Sequence, residues 1–176
     1  MKKIITIVGS SSKLSINKQL AEYAGNMVEG VEVINVDLND YNLPIYSIDV
    51  ENDYGFPNDL KSLNSLIEDV DGIVLSLAEH NGAYSAAFKN TFDWLSRMEG
   101  KVWRNKPMLL LSTSPGPRGG QSVMELALNR FPYNGGNISG SMTFPSFGQN
   151  FQDGSIINKE LKDKLSVLAR QFSKSI

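Results

Sequence analysis

The sequence contains no cysteine and only one histidine, His80. The absence of cysteine excludes disulfides, thiolate nucleophiles, cysteine-ligated zinc and iron–sulfur clusters. A lone histidine also excludes a multi-histidine metal centre. Carboxylates are then the main side chains left to bind a metal ion, and we predict no metal site.

The sequence also lacks a large excess of charge of either sign and lacks long hydrophobic runs. The 17 Lys and Arg residues nearly balance the 19 Asp and Glu residues, giving a net charge of -2, and no basic cluster is visible. Binding to a phosphate backbone requires concentrated positive charge, so nucleic acid is not an expected partner. The first twenty residues hold one short apolar run, shorter than the core of a signal peptide. We therefore expect a soluble, cytoplasmic protein that does not bind membranes.

The residues that are present have the balance of one globular domain. The chain has 176 residues, 41% apolar and 20% charged, without a repeat, a linker or a low-complexity segment. We predict a single domain over residues 1–176.

Short apolar runs alternate with stretches of helical period, which is the pattern of a parallel sheet with helices on both faces. The predicted strands are residues 4–8, 31–36, 72–77, 108–111 and 138–144, and the predicted helices are about 15–28, 58–69, 84–97, 120–131 and 156–174. We predict an α/β fold with a doubly wound, five-stranded parallel sheet, which binds ligands beyond the carboxyl ends of its strands. The last helix is expected to carry an apolar stripe that starts at Ile157.

The longest polar segment, residues 39–57, is unusually aromatic for a connector. It contains Tyr41, Tyr46, Tyr54 and Phe56. Long loops in compact domains are often functional. We interpret this segment as an interface or a lid over a pocket, in preference to a plain connector.

The loop after the first strand, residues 9–17, is called loop one and reads GSSSKLSIN. Its hydroxyls and the free N–H groups at the start of the following helix favour a phosphate-binding site built from uncharged donors over simple helix capping. It matches neither the Walker loop nor the GxGxxG fingerprint, so ATP, GTP and a Rossmann-bound dinucleotide lose support. Asp37, at the end of the second strand, is interpreted as a cap and not as a ribose ligand.

Loop one resembles the GSxRxxSxN loop of the NAD(P)H-dependent FMN reductase family, whose fold is flavodoxin-like. Loop two, residues 78–97, reads AEHNGAYSAAFKNTFDWLSR and resembles the family segment PEYNGSxPGxLKNxIDWxSR. The shared residues of loop two are Glu79, Asn81, Gly82, Lys89, Asn90, Asp93, Trp94, Ser96 and Arg97. Loop three, residues 112–120, reads STSPGPRGG and is similar to SxSPGxxGG. The likeness runs through about 140 residues.

The resemblance implies an FMN-dependent oxidoreductase that takes hydride from NADPH or NADH and forms homodimers or higher homo-oligomers. The flavin carries the chemistry in such enzymes, so no catalytic side chain is expected. The residues predicted to bind FMN are Gly9, Ser10, Ser12, Ser15, Ile16, Asn17, Glu79, His80, Asn81, Gly82, Ser114 and Gly116. Arg118 is predicted to bind the phosphates of NAD(P)H, although an exposed surface role is an equal alternative.

The chain departs from the family pattern beside the cofactor. Ser12 stands where the family has arginine, and Lys13 or Lys18 could replace its charge. His80 stands in place of a tyrosine, and we interpret it as a wall of the pocket in preference to a proton donor or a bystander. For Glu79, a structural role, either as acceptor of backbone N–H groups or as a bridge between subunits, is preferred over acid–base catalysis.

Three functions remain open from the sequence. The first is an NAD(P)H-dependent reductase of free flavin, a quinone, an azo compound or a metal oxyanion. The second is a flavodoxin-type electron carrier, although such carriers tend to be more acidic than a net charge of -2. The third is a flavin-free scaffold that keeps the fold.

Overall fold

The computed structural model describes all 176 residues, which form a central sheet between two layers of helices. The strands are β1 (Lys2–Gly9), β2 (Val31–Val36), β3 (Gly72–His80), β4 (Ala83–Tyr84), β5 (Pro107–Thr113), β6 (Asn137–Phe144), β7 (Phe151–Gln152) and β8 (Ser155–Ile156). The helices are α1 (Ile16–Asn26), α2 (Ile48–Tyr54), α3 (Asn58–Asp69), α4 (Ala86–Met98), α5 (Gln121–Arg130), α6 (Phe147–Asn150) and α7 (Lys159–Ser175), with short 3₁₀ turns at Leu38–Asp40 and Phe131–Asn134.

The main sheet has the strand order β2-β1-β3-β5-β6, and all of these strands are parallel. This arrangement confirms the doubly wound, flavodoxin-like α/β fold and the five predicted strands. The chain runs outward from β1 to β2 and then crosses to β3 on the other side of β1. The carboxyl ends of β1 and β3 therefore flank the switch point at which doubly wound sheets bind ligands.

The sheet has six strands and not five, because β4 pairs antiparallel with the end of β3. The two strands are joined by Asn81 and Gly82, whose φ angles are 52° and 76°. Positive φ at both positions of a two-residue turn gives a hairpin that follows the twist of the strands. Asn-Gly is the usual sequence signal for such a turn, and the prediction missed it.

Two hydrophobic clusters cover the two faces of the sheet because successive strand residues point to opposite sides. Ile73 and Leu75 belong to the cluster beneath α3, α4 and α5, whereas Val74 belongs to the cluster beneath α1 and α7. The layers hold the strand ends, and the loops that follow them, in fixed positions.

The apolar stripe of α7 begins later than predicted. Leu165, Ala169 and Phe172 are buried against the sheet. Ile157 is 55% exposed and precedes the helix, which starts after the N-cap residue Asn158. Residues 155–156 pair with β7 instead of continuing the helix.

The aromatic segment 39–57 contains α2, which the sequence did not predict, and packs on α4. Trp94 Nε1 donates to the Pro44 carbonyl oxygen at 2.7 Å, and Asn90 Oδ1 accepts from the Tyr46 N–H at 2.8 Å. Glu51 of α2 accepts two hydrogen bonds from Arg97 of α4. The segment is therefore fastened to the side of the molecule.

Candidate functional site

A cleft of about 290 Å³ opens beyond the carboxyl ends of β1, β3 and β5. This volume is near the lower end of the range usual for ligand sites, roughly 300 to 1,000 Å³. The lining comes from three separate stretches of chain. They contribute Ser10, Ser12, Leu14, Ser15, Ile16 and Asn17; Ala78, Glu79 and His80; and Thr113, Ser114 and Pro115. No residue of segment 39–57 lines the cleft, so the lid alternative for that segment finds no support.

Loop one leads from β1 into α1 and supplies most of the hydrogen-bond donors of the cleft. Ser15 is the N-cap of α1, and its Oγ accepts from the Lys18 N–H at 3.2 Å. The hydroxyl proton of Ser15 is left to donate to a ligand. The backbone N–H groups of Ile16 and Asn17 have no acceptor within the protein, as expected at a helix start.

The serines before the helix extend this donor set. Ser10 is 5% exposed, and its Oγ accepts from the Ser12 N–H at 3.2 Å. Ser12 is exposed, and its hydroxyl makes no hydrogen bond within the protein. Neutral hydroxyls and N–H groups at the positive end of a helix dipole suit an anion. The donor set therefore fits a phosphate group.

Gly9 allows loop one to leave β1 close to β3. A Cβ atom at this position would lie 2.9 Å from Leu77 Cδ2 and 3.2 Å from Leu77 Cα. The Gly9 carbonyl oxygen accepts from Ser85 Oγ at 2.9 Å, which ties the start of the loop to the start of α4. Gly9 shapes the cleft without lining it.

Neither Lys13 nor Lys18, the two candidates to replace the family's arginine, lines this cleft. Lys18 Nζ lies 2.8 Å from Asp37 Oδ2, and Lys13 is exposed outside the lining. The hydrogen bond with Asp37 raises the pKa of Lys18. Burial alone would raise the pKa of Asp37, but hydrogen bonds from Lys18 and Asn39 lower it overall. Asp37 also accepts from the Asn39 N–H at 3.0 Å, which confirms its interpretation as a cap.

Loop two brings Glu79 and His80 to the cleft. Glu79 Oε2 accepts from the Val123 N–H at 3.0 Å, near the start of α5. The carboxylate thus satisfies one of the free donors of that helix, in agreement with the structural role predicted for it. His80 is exposed at the end of β3, on the wall of the cleft. Asn81 and Gly82 form the hairpin turn next to it and do not line the cleft.

Loop three supplies the opposite side of the cleft. The N–H groups of Ser114 and Gly116 have no acceptor within the protein, although only Ser114 lines the cleft. The carbonyl oxygens of the same two residues accept from Phe147 N–H at 3.2 Å and Ser146 N–H at 2.9 Å. Loop three is therefore anchored to the chain that follows β6.

Two glycines permit the close packing of loop three. A Cβ at Gly119 would lie 2.7 Å from the Phe144 backbone, and both Gly119 and Gly120 have positive φ. Arg118 lies between this packed part and Gly116, is exposed, and donates to Ser122 Oγ at 3.2 Å. It does not line the cleft.

Asn17 has a different environment from the one expected of a phosphate ligand. Its side chain is turned inward, 2% exposed, and bonded to β3 and β5. Only its backbone N–H joins the donors described above. Asn17 lines the cleft, but the sequence did not reveal where its amide group points.

The cleft also contains residues that the sequence analysis did not single out. Thr113 and Pro115 flank Ser114, and their membership could have been found from their place in the loop. Leu14 is 87% exposed, and its apolar side chain among the serines of loop one could have indicated a place in the wall. Leu14 and Pro115 add an apolar component to the wall.

The structure contains neither a metal-binding cluster nor a membrane-spanning helix. No group of three or more His, Cys, Asp or Glu side chains is arranged to hold a metal ion. No helix combines the length and the apolar character needed to cross a bilayer.

Comparison with known proteins shows that this chain is similar to a family of reductases. The model of the NADPH-dependent FMN reductase family matches residues 2–149. A quinone reductase of Escherichia coli K12 is 30% identical over 118 residues, which cover 67% of this chain and 63% of that protein. A 2-hydroxy-1,4-benzoquinone reductase from Burkholderia is 35% identical over 119 residues, covering 66% and 63%. The chain thus matches less than two thirds of the length of these curated relatives.

The fold has a solved counterpart along its whole length. The structure of FerB, a flavoenzyme NAD(P)H:(acceptor) oxidoreductase from Paracoccus denitrificans, matches with a TM-score of 0.79 and 26% identity. The match covers 99% of this chain and 97% of FerB.

Proposed function

The chain belongs to the NADPH-dependent FMN reductase family, and from this premise we propose that it is an NAD(P)H-dependent oxidoreductase with bound FMN. Its reductant is NADPH or NADH, and its acceptor is a small molecule such as free flavin, a quinone, an azo compound or a metal oxyanion. The observation that carries the proposal is the neutral donor set at the start of α1, at the switch point of the sheet. A phosphate-bearing ligand fits that position, and the cleft contains neither a thiol nor a group of three His, Cys, Asp or Glu side chains arranged to hold a metal ion.

The phosphate of FMN would be held by loop one. Its donors are the hydroxyls of Ser10, Ser12 and Ser15 with the N–H groups of Ile16 and Asn17. Three hydroxyls and two N–H groups are enough to surround a phosphate, since each oxygen can accept more than one hydrogen bond.

The ring system would lie between loops two and three. Glu79, His80 and Ser114 line this part of the cleft, while Asn81, Gly82 and Gly116 shape the turns next to it. FMN supplies the hydride-accepting chemistry when bound, so the chain has only to bind, orient and shield it. The free N–H groups of Ser114 and Gly116 are donors that can stabilise negative charge.

Arg118 is the proposed contact for the phosphates of the nicotinamide cofactor. It is exposed, it forms no ion pair, and its one hydrogen bond is to the neutral Ser122. A guanidinium group in this state is available to a phosphate. The residue lies in the same loop as Ser114, which places it beside the cleft without narrowing it.

The state of the whole protein is part of the same proposal. Residues 1–176 form one FMN-binding domain that assembles into homodimers or higher oligomers and works in the cytoplasm with no nucleic-acid or membrane partner. The packing of segment 39–57 on α4, with apolar side chains left exposed, supports the proposed interface.

Release of the cofactor tests the proposal directly. The purified protein, after reconstitution with excess FMN and removal of the unbound flavin, should release FMN on denaturation and oxidise NADPH or NADH when an acceptor is added. FMN release without nicotinamide oxidation would indicate the electron carrier. Failure to retain FMN or FAD would indicate the flavin-free scaffold, and retention of FAD alone would contradict the phosphate site.

A further inference from the structure

Asn17 lines the cleft, yet its side chain makes three hydrogen bonds to the neighbouring strands β3 and β5. Its Oδ1 accepts from Ser76 Oγ at 2.7 Å and from the Thr113 N–H at 3.1 Å, and its Nδ2 donates to the Thr113 carbonyl oxygen at 3.1 Å. Both lone-pair positions of Oδ1 are therefore occupied. Asn17, Ser76 and Thr113 are each at most 2% exposed.

The side-chain amide of Asn17 pairs with both backbone groups of Thr113, as a residue of a neighbouring strand would. Thr113 is the last residue of β5, so this pair occurs where the regular strand pairing ends. Buried hydrogen bonds of this kind are costly to lose because the partners left behind have no access to water. The amide thus connects the start of α1 to the ends of β3 and β5.

The position of Thr113 determines where the part of loop three beyond β5 begins. Its N–H and carbonyl oxygen are held by Asn17, and its Oγ1 donates to the Phe144 carbonyl oxygen at 2.7 Å. Ser114, which follows directly, lines the cleft. A substitution at Asn17 would therefore change the position of loop three, which is proposed to contact the ring. It would not affect only loop one, which is proposed to bind the phosphate.

We propose that Asn17 is a positioning residue whose side chain fixes loop one and loop three in one relative geometry, instead of binding the flavin phosphate. The proposal rests on the proposed function, because it concerns how this cleft recognises FMN. It implies that binding of the ring system depends on Asn17 even when the phosphate is missing.

Riboflavin provides the test, since it is FMN without the phosphate. The dissociation constants of FMN and riboflavin are measured on flavin-free protein by quenching of flavin fluorescence. For Asn17→Ala we expect both to rise by a similar factor, on the order of tenfold, which corresponds to about 1.4 kcal/mol. For the control Ser12→Ala, which removes an exposed hydroxyl without internal partners, we expect weaker FMN binding and unchanged riboflavin binding.

Two results of this titration would overturn the proposal. If Asn17→Ala weakens FMN and leaves riboflavin unchanged, the side chain is a phosphate ligand. If it changes neither flavin, the residue has at most a structural role, since stability alone does not alter the affinity of the folded protein.

A second variant covers the case in which Asn17→Ala does not fold. Ser76→Ala removes one hydrogen bond to Oδ1 and keeps the pair with Thr113, so a smaller and again equal loss is expected for both flavins. An effect restricted to FMN, or no effect on either flavin, would count against the proposal here too.

Hydrogen exchange separates this proposal from the proposed function. In flavin-free protein, the loss of Asn17 or Ser76 should speed exchange of the Thr113 N–H and of the Phe147 N–H, which donates to Ser114. If the wild-type protein binds neither flavin, the proposed function fails. The exchange rates then still decide whether Asn17 fixes loop three, and unchanged rates would refute it.

Discussion

At the scale of single residues, Tyr84 has a buried hydroxyl group because its aromatic ring packs in the core. The ring is stacked on Phe131 with centroids 6.2 Å apart and contacts Phe88. The hydroxyl is buried without a hydrogen-bond partner. Burial raises the pKa of Tyr84 to about 12, with a small opposing effect of Arg130.

Tyr84→Phe is expected to stabilise the protein, because it removes an unpaired polar atom and keeps the ring. The expected gain in the free energy of unfolding is about 1 kcal/mol. Urea unfolding at pH 7 measures it, and Tyr133→Phe is the control, since Tyr133 is 71% exposed. A loss of stability would mean that the hydroxyl has a partner in solution.

The same variant should alter the response to alkali. The Tyr84 pKa is higher in the folded state than its ordinary value of 10.0, so between pH 10 and 12 the folded state retains a proton that the unfolded state loses. Stability then falls as the pH rises through this range. The advantage of Tyr84→Phe over wild type should therefore grow above pH 10, and an equal loss in both proteins would contradict the raised pKa.

Ser12 offers a further prediction, about the charge of the phosphate site. Neither Lys13 nor Lys18 lines the proposed site, and Lys18 is paired with Asp37. Ser12→Arg should strengthen FMN binding about tenfold and leave riboflavin unchanged, since hydrogen bonds to charged groups contribute roughly 1.5–3 kcal/mol. The added affinity should decrease with salt.

The control for Ser12→Arg is Ser11→Arg, because Ser11 lies in the same loop and does not line the cleft. Equal gains for both variants would show a general effect of charge on the loop. Equal gains for FMN and riboflavin would remove the phosphate from this position.

The sequence predicted which residues meet at the cleft better than it predicted what each side chain does there. Serines next to a helix start indicate a donor set because hydroxyls and free N–H groups are local features. The partners of Asn17 and Lys18 lie 59 to 96 and 19 residues away along the chain, respectively. Such partners depend on how the strands are ordered, which a single loop sequence does not contain.

At the scale of elements, α2 illustrates attachment by polar side chains. None of its residues is buried, yet Arg97 of α4 donates to Glu51 at 2.8 Å and 3.2 Å. Tyr46 OH donates to the same carboxylate at 3.0 Å. The hydrogen bonds from Arg97, and then that from Tyr46, lower the pKa of Glu51 despite the opposing effect of burial.

Glu51→Gln is expected to loosen α2 without unfolding the sheet. Glutamine keeps the shape and loses the charge, so hydrogen exchange of the α2 amides should become faster while that of β3 stays the same. The control is Asp49→Asn, which makes the same change from carboxylate to amide at a residue that forms no ion pair. Unchanged exchange in α2 would show that apolar contacts alone hold the segment.

The effect of Glu51→Gln should also depend on pH. The pKa of Glu51 is lower in the folded state than its ordinary value of 4.5. The stabilisation from the Glu51 carboxylate is therefore present above pH 4.5 and is lost as the pH falls through the folded-state pKa. The difference in exchange between the two proteins should accordingly shrink in acid. A difference that persists below the folded pKa would exclude the charge as its cause.

The strands β1, β3 and β5 were predictable because each contains a nearly continuous apolar run, whereas the small elements contain no such run. The strands β4, β7 and β8 have two residues each, and α2 buries no side chain. An element that contributes little to the core leaves little hydrophobic pattern in the sequence. Its existence depends on turns and on polar contacts with distant residues.

At the scale of the whole molecule, segment 39–57 leaves an apolar surface uncovered. Ile45 is 85% exposed, Tyr54 82% and Ile48 50%. Clusters of exposed apolar side chains commonly mark interfaces. In the proposed dimer, these residues are the ones expected to be covered.

Ile45→Asp should weaken the dimer, because a carboxylate would be buried in its interface. Light scattering should give about twice the chain mass for the wild type and a lower average mass for the variant at micromolar concentration. Ile157→Asp, at an exposed position outside the segment, should leave the mass unchanged. A wild-type monomer would contradict the interface.

The construction of the cleft from three distant stretches of chain has a thermodynamic consequence. Residues 10–17, 78–80 and 113–115 meet only when β1, β3 and β5 are aligned, so the unfolded chain has no comparable affinity for flavin. By mass action, each tenfold rise in free FMN above its dissociation constant should add about 1.4 kcal/mol to the free energy of unfolding. A larger supply of flavin should then lower the population of unfolded chains that a protease can cleave.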